Sequence, residues 1–112
     1  RPQPVAAKML YHISNNKSSR VILKWAGANP DLISEQVERK DPLVRSEEIE
    51  KTIEKMVAKF KEQYPEEKTI QMSFSSDSTY QEMISVMDGA RIGLQDIVLV
   101  SAEEADGVSN GL

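Results

Sequence analysis

The residues of this 112-residue chain that could carry chemistry are one histidine, a serine-rich turn, two glycines late in a helical stretch and a scatter of acids and arginines. His12 is the only histidine and there is no cysteine. A metal cluster or a His-dependent nucleophile needs convergent partners, so this composition supports neither. The turn from Ser73 to Ser78 lacks the glycines of a nucleophile elbow, and its serines and Asp77 suit helix capping. Gly89 to Gly93 lies inside and at the end of a helical pattern, not before one, so it is no phosphate loop. Glu103, Glu104 and Asp106 do not follow calcium-loop spacing. No catalytic residues, metal ligands or cofactor are therefore expected. Asp77, Tyr80 and Arg91 are left as candidates for binding a partner. Asp77 caps a helix or touches a partner. Tyr80 packs its ring and offers its hydroxyl, as interface tyrosines do. Arg91 is a last-turn cation favoured by the helix dipole.

The elements that must position these residues are legible from period and punctuation. Ile70, Met72 and Phe74 alternate with polar residues, as in a strand with one buried face. Ser78 with Gln81 has capping-box spacing, with Asp77 as the alternative cap. Tyr80, Met83, Ile84 and Met87 follow at helical spacing. Gly93 offers a left-handed stop, with Leu94 placed for a Schellman contact. Ile97 to Val100 is an unbroken apolar run, expected to be a strand covered on both faces or lying centrally. Two strands joined by a helix should be parallel, with a right-handed crossover.

Upstream, Met9, Tyr11 and Ile13 alternate, Asn15 to Ser19 forms a polar loop, and Val21, Leu23 and Trp25 alternate again until Gly27. These runs predict an antiparallel hairpin. Residues 28–45 are read as a short helix from Asn29-Pro30, carrying Leu32, Ile33, Gln36 and Val37 and ended by Asp41-Pro42. Ser46 then caps an amphipathic helix bearing Ile49, Ile53, Met56, Val57, Phe60 and Tyr64. Glu47 and Glu48 near its start and Lys59 and Lys61 near its end suit the dipole, and Pro65 stops it. The order is β-β-α-β-α-β. It predicts an α+β two-layer sandwich with both helices on one face of a mixed sheet.

Hydrophobic residues make up 39% of the chain and charged residues 29%, a balance that suits one globular domain. No apolar run reaches the length of a membrane span. Net charge is −4, yet residues 1–27 hold Arg1, Lys8, Lys17, Arg20 and Lys24 and no acid. Those cations guard a strand edge or face an anionic partner such as a cell-wall polymer. Nucleic acid is not expected, because the charges are scattered and no stacking aromatics lie between them.

The stretch FSSDSTYQEMISVMDGARIGLQDIVLVS, residues 74–101, resembles the C-terminal half of the periplasmic domain of the ExbD/TolR biopolymer-transport family. The matching positions are Asp77 closing a strand, Tyr80 opening the next helix, Val86-Met87-Asp88 and Arg91 late in it, Gly93 ending it, and the strand Ile97 to Val100. Residues 28–45 depart from the family's shorter connection. The resemblance implies a periplasmic domain, without enzymatic activity, of a proton-motive-force-driven subunit in a Gram-negative-type inner membrane. It also implies a homodimer and an ExbB/TolQ-like channel partner reached through a membrane helix. The envelope partner would be a TonB/TolA-like protein or peptidoglycan. On that reading residues 1–7 are a linker from the anchor, 8–101 the domain and 102–112 a flexible acidic tail; the Arg1 start fits a fragment of something longer. The other reading is a stand-alone cytosolic α+β binding or regulatory module with the Asp77–Tyr80 turn as ligand loop.

Overall fold

The computed structural model describes residues 6–15, 18–26, 31–39 and 41–101; the expected linker at 1–7 falls almost wholly, and the tail at 102–112 wholly, outside them. In chain order the elements are β1 (Ala6–Asn15), β2 (Ser18–Ala26), β3 (Asp31–Glu38), α1 (Pro42–Gln63), β4 (Thr69–Phe74), α2 (Tyr80–Ala90) and β5 (Asp96–Leu99). They form one five-stranded mixed sheet in the order β3-β2-β1-β4-β5. β1 pairs antiparallel with β2 and β2 with β3, while β1–β4 and β4–β5 are parallel. The expected class, the hairpin, the parallel β-α-β unit and the helix order are all present, with one strand more than expected.

That strand is β3, where a short helix was expected. Its register with β2 sets Val37 beside Ser19, and Val37 is buried. Asp41-Pro42 does not end a helix; it begins α1. The residue before proline avoids helical angles, and Asp41 (φ −46°, ψ 133°) uses that extended conformation to cap, its carboxylate accepting from the Leu43 N–H at 3.0 Å. Proline at the first helical position lacks only a donor that would be unpaired there anyway. The helix therefore starts four residues before Ser46.

The core lies in one layer between the sheet and the helices. Met9, Tyr11, Val21, Leu23, Trp25, Ile70 and Met72 from the sheet meet Ile49, Ile53, Met56, Val57 and Phe60 of α1 and Val86 and Ala90 of α2. Trp25 and Phe60 are edge-on with ring centroids 5.2 Å apart. The alternate residues Leu10 and Ile22 are directly paired across β1 and β2 and form a separate buried pair on the sheet's second face.

Two expectations about the last unit are corrected. β5 is an edge strand, and Leu99 is 57% exposed; an apolar run here marks a sheet margin, not a centre. Gly93 has no left-handed angle, since no described glycine has positive φ. The helix instead ends with Arg91 in the right-handed region, and the Leu94 N–H donates to the Ala90 carbonyl at 2.8 Å. A Cβ on Gly93 would lie 3.0 Å from Val57 Cγ1 and 3.2 Å from Lys61 Cγ, so the residue serves close packing on α1.

Candidate functional site at the amino end of the second helix

The parallel strands β1, β4 and β5 end on one side of the sheet, where ligand groups gather in sheets of this kind. The turn after β4 is held there by Ser75, which extends the ladder with β1 one residue beyond the end of β4. Its N–H donates to the Tyr11 carbonyl and its Oγ accepts from the Ile13 N–H, each at 3.0 Å. The Ser78 N–H closes the turn onto the Ser75 carbonyl at 3.0 Å.

Helix α2 is capped by Thr79, not by Ser78 or Asp77. Thr79 Oγ1 accepts from the Glu82 N–H at 3.1 Å and Glu82 Oε1 accepts from the Thr79 N–H at 3.0 Å, a reciprocal capping box. Glu82 does more than cap. It is 1% exposed, and its carboxylate accepts the Tyr11 hydroxyl from β1 and two bonds from the Arg39 guanidinium, Nε and Nη2, each at 3.1 Å. One carboxylate thus ties β1, the segment after β3 and the start of α2 together. Burial pushes Glu82 up, but the hydrogen bonds from Tyr11, Thr79 and Arg39 outweigh it and hold the carboxyl below its ordinary value. Burial and the bond to Glu82 push the Tyr11 phenol well above its ordinary value. Every oxygen is engaged, so this cluster is a fastener and offers no free acid or base.

With capping and fastening assigned elsewhere, Asp77 and Tyr80 have neither task. Asp77 is exposed and makes no hydrogen bond or ion pair among the described residues. Tyr80 is 77% exposed, which corrects the expectation that its ring packs. The buried face of α2 is Glu82, Ser85, Val86, Gly89 and Ala90, turned away from the periodicity of its larger apolar residues. Asp77 and Tyr80 therefore flank one surface turn. Arg91 does not join them. It closes the other end of the eleven-residue helix, about 16 Å away at 1.5 Å per residue, and pairs there with Asp88 at 2.7 Å. Sequence reasoning missed Glu82 and Arg39. Thr79-x-x-Glu82 was a visible capping pattern, but nothing local signals a bond from Arg39 across 43 positions.

Charge also gathers in a way the linear order hides. Lys8 and Lys24 are direct partners across β1 and β2, and Arg20 pairs with His12 four positions along on the same face, beyond the buried Leu10–Ile22 pair. Arg20 is held flat by Ser34 and Gln36 at 2.9 and 3.2 Å. Lys8, Arg20 and Lys24, scattered in sequence, thus share the second face of the sheet. Among the described residues no group of three or more His, Cys, Asp or Glu is placed to hold a metal, and no helix is long and apolar enough to cross a membrane.

No family model and no curated protein matches the chain. Among solved structures it is similar to T. thermophilus RuvC in complex with a Holliday junction substrate, with a TM-score of 0.60 at 11% identity over 94% of this chain and 69% of RuvC. An Aquifex aeolicus Ppx/GppA family member aligns with a TM-score of 0.44 at 9% identity, over 90% of this chain and 37% of that one. The likeness to RuvC shows a shared fold. RuvC acts on a nucleic-acid substrate with that fold, so the expectations of no enzymatic activity and no nucleic-acid partner are corrected. Their physical weakness is now visible: spacing along a chain does not report what a sheet assembles, and three of the cations judged scattered, Lys8, Arg20 and Lys24, lie on one face.

Proposed function

We propose that this chain is the energy-transmitting periplasmic domain of a single-pass inner-membrane subunit of the ExbD/TolR type, working in a proton-motive-force-driven motor or transport complex. The observation that carries the reading is the turn from Asp77 to Tyr80. Residues 74–101, which resemble that family, form a strand end, a capped helix and a final strand. At their turn an acid and a large aromatic stand in solvent with no capping or packing task. Such a pair suits a partner's surface, with the ring supplying area and the carboxylate register. The test is Asp77→Asn and Tyr80→Ala in the full-length protein, measuring energised transport or motility beside folded protein level. Loss of activity at normal protein level is the expected outcome. Normal activity in both variants sinks the reading.

A second reading is favoured by Lys8, Arg20 and Lys24, which share one face of the sheet, together with the RuvC-like fold: a domain that holds nucleic acid through these side chains. Fluorescence anisotropy with labelled duplex and four-way junction DNA at 50 and 200 mM salt tests it. Salt-sensitive binding abolished by Lys8→Glu with Arg20→Glu supports it; absence of binding at the lower salt removes it.

A further inference from the structure

β3 ends the sheet: its outer side has no strand partner among the described residues. Ser34, Glu35 and Gln36 along it are exposed, and backbone donors and acceptors on such an edge are a template for another strand. Beside this edge, on the helix side, runs a groove of about 440 Å³ between β3 and α1, lined by Glu35, Thr52, Lys55, Met56, Ala58, Lys59 and Glu62. Lys55 and Lys59 are one helical turn apart, and neither forms an ion pair among the described residues, although Glu35 and Glu62 share the lining. Like charges at this spacing repel each other.

We propose that this groove takes an extended peptide segment of a partner protein. The segment adds as a strand to β3 and sets two acidic side chains, two positions apart, against Lys55 and Lys59. The spacing is what selects the partner. Side chains one turn apart on a helix are about 5–6 Å apart, and those two apart on a strand recur every 6–7 Å on the same face. A strand lying along α1 therefore matches both lysines with alternate residues. An apolar residue at the next inward position covers the exposed Ala58, while Glu35 and Glu62 disfavour a uniformly acidic chain. Backbone pairing supplies affinity and the alternating pockets supply specificity, as in strand addition generally. The groove depends on β3 and does not rest on the motor reading.

The probe is the peptide acetyl-Val-Thr-Glu-Thr-Glu-Thr-Val-amide, labelled for anisotropy and titrated into the 112-residue chain with amide NMR shifts followed. Expected are shift changes confined to residues 34–38 and 52–62 and at least tenfold weaker binding when both glutamates become lysine. N-methylation of alternate amides should weaken binding as much, because it removes ladder bonds. Lys55→Glu with Lys59→Glu, both on the exposed face of α1 and checked for unchanged melting temperature, should reverse the preference toward the lysine peptide. Equal affinity for both peptides, indifference to N-methylation, shifts at the β5 edge, or no binding at millimolar peptide overturns the proposal. Self-association of the chain through β3 that excludes the peptide overturns it as well and assigns the edge to a second copy.

Discussion

At the scale of single residues the decisive group is Glu82. A buried carboxylate is tolerated only when its oxygens are paired, and here a phenol, a guanidinium and a backbone N–H pair them. Replacing Glu82 with Gln leaves Arg39 without its counter-charge and should cost about 3–5 kcal/mol, read by chemical denaturation. The pH dependence follows in sign. Glu82 is held below its ordinary value in the folded protein, so the unfolded chain takes up its proton first. Its contribution is present above the unfolded value of about 4.3 and is lost as pH falls through the folded one. Melting temperatures between pH 6 and 3 should fall more steeply for the parent than for Glu82→Gln. Tyr11 is raised, so its contribution is present below about pH 10 and is lost as pH climbs toward the folded value. An equal acid slope in parent and variant would show that Glu82 titrates no differently folded than unfolded.

At the scale of elements, the helix crossing is set by what is missing from α2. A Cβ on Gly89 would sit 2.7 Å from the Glu50 carbonyl oxygen and 2.8 Å from Ile53 Cβ. Gly89→Ala gains helix propensity of about 1 kcal/mol, but backbone and a Cβ cannot step aside as a flexible tip can. The net effect should be a loss of about 1–3 kcal/mol, with α1 and α2 pushed apart. Phe60 is buried among sheet and helix residues, so Phe60→Ala should cost about 3–5 kcal/mol, whereas exposed Leu99→Ala should cost less than about 1 kcal/mol. Denaturation of both variants checks that β5 is peripheral although it completes a parallel unit. These contrasts show what was legible. Alternation at Met9–Tyr11–Ile13 and the period of α1 report one buried face directly, so the hairpin, the helices and the parallel unit could be read. Burial of β5 could not, because Ile97 to Val100 looks the same at an edge as at a centre. β3 was hidden because Asn29-Pro30 mimics a helix start and its pairing with β2 is tertiary. At the site, the exposure of Asp77 and Tyr80 followed only once Thr79 and Glu82 had taken the capping role.

At the scale of the whole molecule, the two faces of the sheet follow different rules. One is buried under both helices; the other carries Lys8 opposite Lys24, Arg20 four residues along β2 and, between them, the buried apolar pair Leu10 and Ile22. Like charges directly opposite on adjacent strands are destabilising, and opposite charges stabilise by roughly 0.2–1 kcal/mol. A lysine pair in this register either supports the fold through its other contacts or serves a polyanionic partner. The prediction separates the two. Lys8→Glu turns a repelling pair into an attracting one, so the variant should melt at or above the parent's temperature, with the gain shrinking as salt screens the pair. The same change should weaken binding to any polyanion that uses this face, measured with labelled duplex DNA at 50 mM salt. Stability and binding then move in opposite directions, the mark of a surface shaped for a partner. If Lys8→Glu destabilises the chain, the lysine is supporting the fold, and this side of the sheet loses its standing as a binding face.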